Sequence, residues 1–308
     1  MTFGEHVFLY CERGTSTELL AEPINGLSNV GFIFAALVGL QLVLWRPPEE
    51  RTADHFLLPV LVLFIGVGSL AFHLYADQGT ALADVVPIAV FMLVYLGFAL
   101  NRFLGVPPGV TVLLVIGFTA IMAITSQVQC SESAVGFLGS DVPGAEPCLN
   151  GSVFYLPALA AMIVIGLLLH ERKHKAAPWL LWATAIFAIS ITLRSLDLGL
   201  CDQVVIDGRK VGTHFAWHFL NALALFLLLR ASLESGPEAA GARLAPQPVA
   251  EPAKSEAEPP PVVAEADTQK PLEEKVASGG EEPAKESEAP AEEKPQAEEE
   301  KPKAFFPV

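Results

Sequence analysis

The sequence has few basic residues and lacks the pattern of a cleavable signal peptide. Lys and Arg number 19 against 34 Asp and Glu, a composition that gives no indication of a basic surface for nucleic acid. The first twenty residues contain three glutamates and no apolar run behind a basic end, so we expect the first apolar helix to serve as its own insertion signal. The last apolar stretch contains no lysine, which argues against a retinal-type photoreceptor with a Schiff base.

Apolar residues are abundant, at 52% of the chain, and the mean hydropathy is +0.46. A membrane-spanning helix needs about 20 predominantly apolar residues to cross the hydrocarbon layer. The stretches that satisfy this are residues 24–45, 56–75, 81–101, 109–127, 152–170, 178–197 and 213–232. The sequence therefore predicts an all-α fold, in which residues 1–235 form a seven-transmembrane helix bundle.

The Lys and Arg residues between the spans are distributed unevenly, and this distribution predicts the orientation. An odd number of helices puts the two termini on opposite sides of the membrane. The basic residues of one side are Arg46, Arg51, Arg102, Arg172, Lys173, Lys175 and Arg230. The other side holds Arg13, Arg209 and Lys210. The richer side should be cytoplasmic, so we expect the N-terminus outside, in the periplasm or a lumen.

The composition changes sharply at Gly236, after which Pro, Ala, Glu and Lys dominate. Such a segment buries too little apolar surface to offset the conformational entropy lost on folding. We therefore predict that residues 236–308 are a disordered cytoplasmic tail.

The four cysteines all fall on the non-cytoplasmic side of this topology, where disulfides form readily. Four cysteines allow three pairings, and four free thiols are the alternative. The arrangement of the loops favours Cys130 with Cys148 inside one loop. It also favours Cys11 with Cys201, between the N-terminal segment and the loop before the last span.

Polar residues of three apolar stretches fall at the same predicted depth, near the outer surface. His214 and His218 open the last span at i and i+4, so they share one helix face. His73 ends the second span four residues after Ser69, and Asp84 lies in the predicted first turn of the third. Three neutral imidazoles with an open position form a known catalytic zinc arrangement. For the last span, two interfacial histidines beside a tryptophan are the alternative.

Two further polar sets lie in the first and sixth spans. The set in the first span faces into the bundle on an i, i+3, i+4 pattern and consists of Asn25, Ser28 and Asn29. We interpret it as interhelical hydrogen bonding that fixes packing. Arg194 and Asp197, spaced i and i+3 in the sixth span, are predicted to pair with each other or with Glu22.

The ordered set of these residues resembles the motifs of the alkaline ceramidase family. That family belongs to a superfamily with the adiponectin-receptor and haemolysin III proteins and the GPI-remodelling hydrolases. The resemblance covers residues 8–230, and its motifs are Glu22-Pro-x-Asn25-x-x-Ser28-Asn29, Gly68-Ser69-x-x-Phe72-His73, Asp84, and His214-x-x-Trp217-His218. The acidic tail has no counterpart in the family, and the compact domain is similar to a bacterial-type member.

The resemblance implies a zinc site and assigns roles around it. The implied zinc ligands are His73, His214 and His218. Ser69 and Asp84 are implied to contact the water on the metal, and Cys11 is implied to form a disulfide with Cys201.

The resemblance also raises a calcium site, because family members of animal origin carry one near the N-terminus. Cys11, Glu12 and Glu22 match that region here. Leu9 stands where the family has an acidic ligand, and Gly14 stands where it has an asparagine. Calcium at Glu12 and Glu22 is therefore an expectation with an incomplete set of ligands.

The function that the resemblance implies is zinc-dependent hydrolysis of the N-acyl bond of a ceramide-like sphingolipid, which gives a sphingoid base and a fatty acid. Asp84 would accept and return a proton, and Ser69 would orient water or donate to the oxyanion. Two alternatives stay open. One is a zinc-dependent hydrolase of another acyl lipid, such as a phospholipid, and the other is a receptor-like seven-helix protein with structural zinc.

Overall fold

The computed structural model describes residues 4–130, 135–136 and 146–235, and these ranges contain a bundle of seven apolar spans. The spans are Pro23–Leu44, Ala53–Tyr75, Gln78–Phe103, Pro108–Thr125, Ser152–Glu171, Ala177–Leu196 and His214–Ser232. Each is long and apolar enough to cross a membrane, so the predicted all-α, seven-transmembrane fold is confirmed. The tail predicted at residues 236–308 lies outside the described residues.

Within the described ranges, α-helices build the spans and short strands occupy two of the loops. The helices are α1 (Pro23–Ser28), α2 (Val30–Leu44), α3 (Ala53–Tyr75), α4 (Gln78–Phe98), α5 (Pro108–Thr125), α6 (Leu156–Glu171), α7 (Ala177–Leu196) and α8 (His214–Ser232). The strands are β1 (Gln129–Cys130), β2 (Val135–Gly136), β3 (Glu146–Pro147), β4 (Val205–Ile206) and β5 (Arg209–Lys210). The first three strands form an antiparallel sheet in the order β2-β1-β3, and β4 pairs antiparallel with β5.

The helices α3 and α4 form a tight hairpin, because capping residues end one helix and begin the next. Ala76 adopts a left-handed conformation with φ of 48°, which ends α3. Asp77 then accepts a hydrogen bond from Thr80 N (2.8 Å), while Thr80 Oγ1 accepts one from Asp77 N (3.1 Å). The predicted start of this span at residue 81 is therefore wrong by three residues, and Asp84 lies in the second turn of α4.

The spans bury apolar side chains on the inside and present others on the outside. Phe32, Leu58 and Leu169 are among the buried residues of the core. Phe34 and Trp182 are among the large apolar side chains that are exposed. An apolar exterior of this kind suits contact with lipid tails, so the chain is a multi-pass membrane protein.

The chain has two disulfides, and one of them, together with backbone hydrogen bonds, joins the N-terminal segment to one end of the bundle. Cys11 is paired with Cys201 (Cα–Cα 5.5 Å) and Cys130 with Cys148 (Cα–Cα 4.9 Å), the pairing that the loop arrangement favours. Val7 N donates to Ala76 O at 2.8 Å, beside the end of α3. The N-terminal segment therefore lies over the end of the bundle where α3 ends and α8 begins.

Candidate metal centre

Three imidazoles from two helices converge under the N-terminal segment. His73 lies in the last turn of α3, whereas His214 and His218 lie in the first turns of α8. Nε2 of His73 is 3.2 Å from Nε2 of His218, and each of the three residues offers one ligand atom within 4.8 Å of the others. All three side chains are buried. The arrangement can hold a single metal ion, at the place where the sequence predicts one.

Hydrogen bonds on the far side of two rings determine which nitrogen faces the cluster. His73 Nδ1 is 2.6 Å from Glu22 Oε2, and an ionised carboxylate can only accept, so His73 Nδ1 donates. Ser28 Oγ donates to Asn25 O (2.6 Å) and therefore accepts from His218 Nδ1, also at 2.6 Å. In the neutral form of these two rings, Nε2 then has a lone pair available to a metal.

His214 is held by its backbone and by an aromatic ring. Its backbone N donates to Asp197 Oδ1 at 2.9 Å, and its ring stacks on Tyr10 with a centroid separation of 3.5 Å. Nδ1 of His214 is buried without a hydrogen-bond partner. A buried polar atom without a partner is costly, so this ring nitrogen indicates a missing neighbour such as a metal or water.

The chemistry of the donors fits zinc. Imidazole nitrogens suit zinc as well as copper, iron and nickel, and a set of three leaves a coordination position open, as in catalytic zinc sites. The Asp84 carboxylate interacts with Ser69 and lies within electrostatic range of His73, while its Oδ1 has no hydrogen-bond partner. The tight hairpin of α3 and α4 brings these two residues beside the imidazoles. One buried acceptor is therefore available for a proton next to the cluster.

The polar residues of the first span make shorter-range bonds than predicted. Asn25 Nδ2 donates to Glu22 Oε2 (3.0 Å), and Asn29 Nδ2 donates to Asn25 O (2.9 Å). Among the described side-chain hydrogen bonds of Asn25, Ser28 and Asn29, the one that Ser28 accepts from His218 crosses to another helix. The side-chain amides of Asn25 and Asn29 therefore bond within the start of the span, and their role in interhelical packing stays a prediction.

The predicted pairing of Arg194 is also wrong. Its guanidinium donates to Ser152 Oγ (3.3 Å), to Tyr10 Oη (3.3 Å) and to Asn150 O. Neither Asp197 nor Glu22 forms a salt bridge with it, although all three residues are described. The local i, i+3 spacing is overridden because the long Arg194 side chain reaches the segment before α6.

Asp197 acts as an acceptor for backbone groups from two distant segments. Its carboxylate accepts from Cys11 N (2.9 Å), Thr213 N (2.7 Å) and His214 N (2.9 Å). Burial raises the pKa of Asp197, and these three donors oppose that rise. The residue therefore joins the N-terminal segment to the start of α8, directly beside the cluster.

The two carboxylates considered for calcium are both engaged in other contacts. Glu12 accepts from Ile24 N (2.9 Å) and Asn25 N (2.8 Å), which caps the start of α1, and burial raises its pKa. Glu22 is buried, which opposes ionisation, yet its pKa is lowered by His73 and by hydrogen bonds from Arg13 and Asn25. Glu12 therefore caps the start of α1, and Glu22 accepts a hydrogen bond from the imidazole of His73.

Two residues of the site were not identified from the sequence. Tyr10 stacks on His214, and Arg13 donates to Glu22 through Nε at 2.5 Å. The one available signal was the expected disulfide of Cys11, since residues beside that cysteine must lie near the start of the last span. Both residues lie on an irregular segment, where no periodic pattern marks a buried side chain.

An apolar cavity lies within the bundle beside the cluster. It has an empty volume of about 730 Å³, including the part open to the outside. Representative lining residues are Ile88, Phe91, Tyr95, Phe187 and Ala224. Asn221, three residues after His218, also lines it, so the cavity reaches within one helical turn of the imidazoles. The space suits an apolar chain whose polar end points to the cluster.

Comparison with known proteins gives a match over most of the chain. A family model described as Ceramidase matches residues 8–234, a range that includes every residue of the site. None of the curated proteins compared with the chain matches it significantly.

Proposed function

The chain belongs to the ceramidase family, which implies a hydrolase acting on amide bonds, and we propose that it is a zinc-dependent intramembrane amidase of ceramide-like lipids. Its products are then a sphingoid base and a fatty acid. The observation that carries the proposal is the convergence of three buried imidazoles beside a buried carboxylate with a free acceptor atom. An apolar cavity opens one helical turn away.

In this proposal His73, His214 and His218 hold the metal. Zinc bound there supplies a Lewis acid, which polarises the scissile carbonyl and makes water a stronger acid. Glu22 and Ser28 keep two of the ligating rings in the tautomer that presents Nε2. The chain thereby provides three neutral donors, two of them in a fixed orientation, before any substrate arrives.

Asp84 transfers the proton, and Ser69 stabilises the negative charge that develops on the carbonyl oxygen. Asp84 accepts a proton from the attacking water as the new C–O bond forms at the amide carbon. It returns that proton to the nitrogen as the C–N bond breaks, so the amine leaves neutral. The Ser69 hydroxyl interacts with Asp84 before the reaction. Once Asp84 has accepted its proton, Ser69 turns to donate to the carbonyl oxygen on which negative charge develops, a kind of contact worth roughly 2.7–4 kcal/mol in other hydrolases.

The cavity receives the acyl chain of the lipid. Its lining is almost entirely apolar, so its affinity arises from burial of hydrocarbon and not from a headgroup. The scissile amide then lies at the level of His218, with the fatty chain pointing along α4 and α7 into the bundle.

We also propose that the N-terminus faces outside and that calcium is not required. Disulfides persist on an oxidising side, and both pairs lie in segments that alternate to the same side of seven spans. Glu22, one of the two carboxylates considered for calcium, already has the Arg13 guanidinium as a counter-charge. Zinc is then the single metal on which the activity depends.

The proposal is tested on purified protein in detergent or lipid nanodiscs, with a panel of N-acyl and O-acyl lipids. Bound metal is measured by elemental analysis, and fatty acid release by mass spectrometry. We expect about one zinc per chain and release of fatty acid from ceramide. A zinc chelator should abolish the activity, whereas a calcium-selective chelator should not change it.

Single substitutions test the roles proposed for His218 and Asp84 separately. His218→Ala should lose zinc and activity together, and Asp84→Asn should keep zinc but lose activity by at least a hundredfold. His170→Ala, an exposed histidine at the end of α6, is the matched control and should resemble the wild type. Wild-type activity in either site variant would contradict the assigned role. Cleavage of phospholipids in preference to N-acyl lipids would contradict the proposed substrate.

A further inference from the structure

Arg13 is a buried cation that has no part in the chemistry proposed above. The residue is 3% exposed, although it lies on an irregular segment outside the spans. Nε donates to Glu22 Oε1 (2.5 Å), Nη1 to the backbone oxygens of Ser16 (3.2 Å) and Glu18 (3.0 Å), and Nη2 to those of His73 (2.8 Å) and Leu74 (3.4 Å). All three nitrogens of the guanidinium are therefore occupied.

The contacts of Arg13 meet at one metal-site imidazole from two directions. Glu22 takes Arg13 on Oε1 and His73 Nδ1 on Oε2, so the carboxylate bridges the guanidinium and the ring. Nη2 of the same guanidinium binds the backbone oxygen of His73. Arg13 thus holds the backbone of His73 directly and the ring of His73 through Glu22.

We infer that Arg13 is a positioning residue for the metal centre, acting through the Glu22 carboxylate to hold His73 with Nε2 facing the metal. The inference rests on the proposed role of His73 as a ligand. A carboxylate buried beside an imidazole keeps its charge only when a partner compensates the loss of water. Arg13 provides that compensation from within the chain through Nε, and the bonds of its two Nη atoms to backbone oxygens fix the direction of the planar guanidinium.

The test measures zinc affinity of the purified, folded protein by competition with a chromophoric chelator. Loss of an outer partner of a metal ligand typically costs 10–100-fold in affinity, so we expect about this loss for Arg13→Gln and for Glu22→Gln. The loss of zinc affinity in the double variant should be smaller than the sum of the two single losses, because both changes break the same contact between Arg13 and Glu22. Arg13→Lys should fall between Arg13→Gln and wild type, since it keeps the charge without the fork.

Arg209→Gln is the matched control. Arg209 donates to Ala21 O at 3.0 Å, next to Glu22, but makes no contact with the carboxylate itself. We expect wild-type zinc affinity in this variant. Cobalt substitution adds a spectroscopic signature, because the visible absorption of Co²⁺ depends on its ligands. The spectrum should change in Arg13→Gln and stay unchanged in Arg209→Gln.

The outcomes distinguish the inference from the proposed function. Additive losses in the double variant, or an unchanged cobalt spectrum with only a lower melting temperature, would mean that Arg13 merely anchors its segment, and would overturn the inference. If Arg13→Gln does not fold, Glu22→Gln and Arg13→Lys decide the matter, and wild-type zinc affinity in both overturns it. A wild-type protein that binds no zinc would instead contradict the proposed function.

Discussion

Gly68 of α3 lies directly against the backbone carbonyl of Ala83 in α4, and a Cβ atom at Gly68 would overlap that oxygen. The next residues along the two helices are Ser69 and Asp84, the pair assigned to catalysis. The close approach of the two backbones is therefore what brings the hydroxyl and the carboxylate together, as small residues do in other membrane helix pairs.

Gly68→Ala is expected to push α3 and α4 apart. Because the atom in the way is backbone, the helices must shift, at a cost of roughly 1–3 kcal/mol. We expect a lower melting temperature and a loss of amidase activity larger than the loss of zinc binding. Gly117→Ala in α5 is the control, since its new methyl group meets nothing within 4 Å. That variant should be as stable as wild type or slightly more stable.

Ser28→Ala is expected to weaken zinc binding about 10–100-fold, because His218 Nδ1 loses the hydroxyl oxygen that accepts its hydrogen bond. Isothermal titration or chelator competition measures the change. Ser126→Ala is the comparison, since Ser126 Oγ bonds only to neighbours in sequence among the described residues: it donates to Ala123 O (2.9 Å) and accepts from Gln127 Nε2 (3.2 Å). Equal zinc affinity in Ser28→Ala and wild type would exclude the tautomer role of Ser28.

The Cys11–Cys201 disulfide is expected to stabilise the fold more than Cys130–Cys148. The two bridges close segments with sequence separations of 190 and 18 residues. In the chain-entropy account, this difference makes the longer bridge worth about 2 kcal/mol more. Paired Cys→Ser variants at each bridge, compared by melting temperature in detergent, test the ranking. Mass spectrometry of the unreduced protein should find no free thiol, and four free thiols would refute both bridges.

Ala224→Phe is expected to shorten the acyl chain that the protein accepts. Ala224 is buried and lines the cavity, so a phenyl ring there would occupy space proposed for hydrocarbon. The ratio of kcat/KM for long-chain to short-chain ceramides should fall, while zinc content stays unchanged. Ala120→Phe, on the exposed face of α5, should leave the ratio as it is. No change in the ratio for Ala224→Phe would place the acyl chain elsewhere.

The parts of the molecule that the sequence predicted well are those with local signals. The spans follow from runs of apolar residues, and His214 and His218 share a face because of their i, i+4 spacing. His73 could be added because consecutive spans alternate in direction, which brings the end of the second to the start of the last. The predicted start of the third span at residue 81 lies three residues after the start of α4, because the capping box of Asp77 and Thr80 begins the helix before the apolar run.

The parts that could not be predicted depend on contacts between distant segments. Asp197 accepts from Cys11, 186 residues away, and Arg13 reaches His73, 60 residues away. Nothing in the neighbourhood of either residue indicates these partners, and for Arg194 the local spacing favoured a wrong one. A buried charged side chain pairs with the polar groups that the folded bundle places within its reach. Such pairs can therefore be identified only from the three-dimensional structure.

The order in which the spans leave the ribosome has a consequence for how the protein matures. Two of the three imidazoles lie on α8, the last span, whereas the third lies on α3. A nascent chain that has inserted its first six spans therefore has a single histidine of the set and cannot chelate an ion. If the three imidazoles hold the metal as proposed, the site is completed in one late step, when α8 enters the bundle, and a partly synthesised chain has no amidase activity.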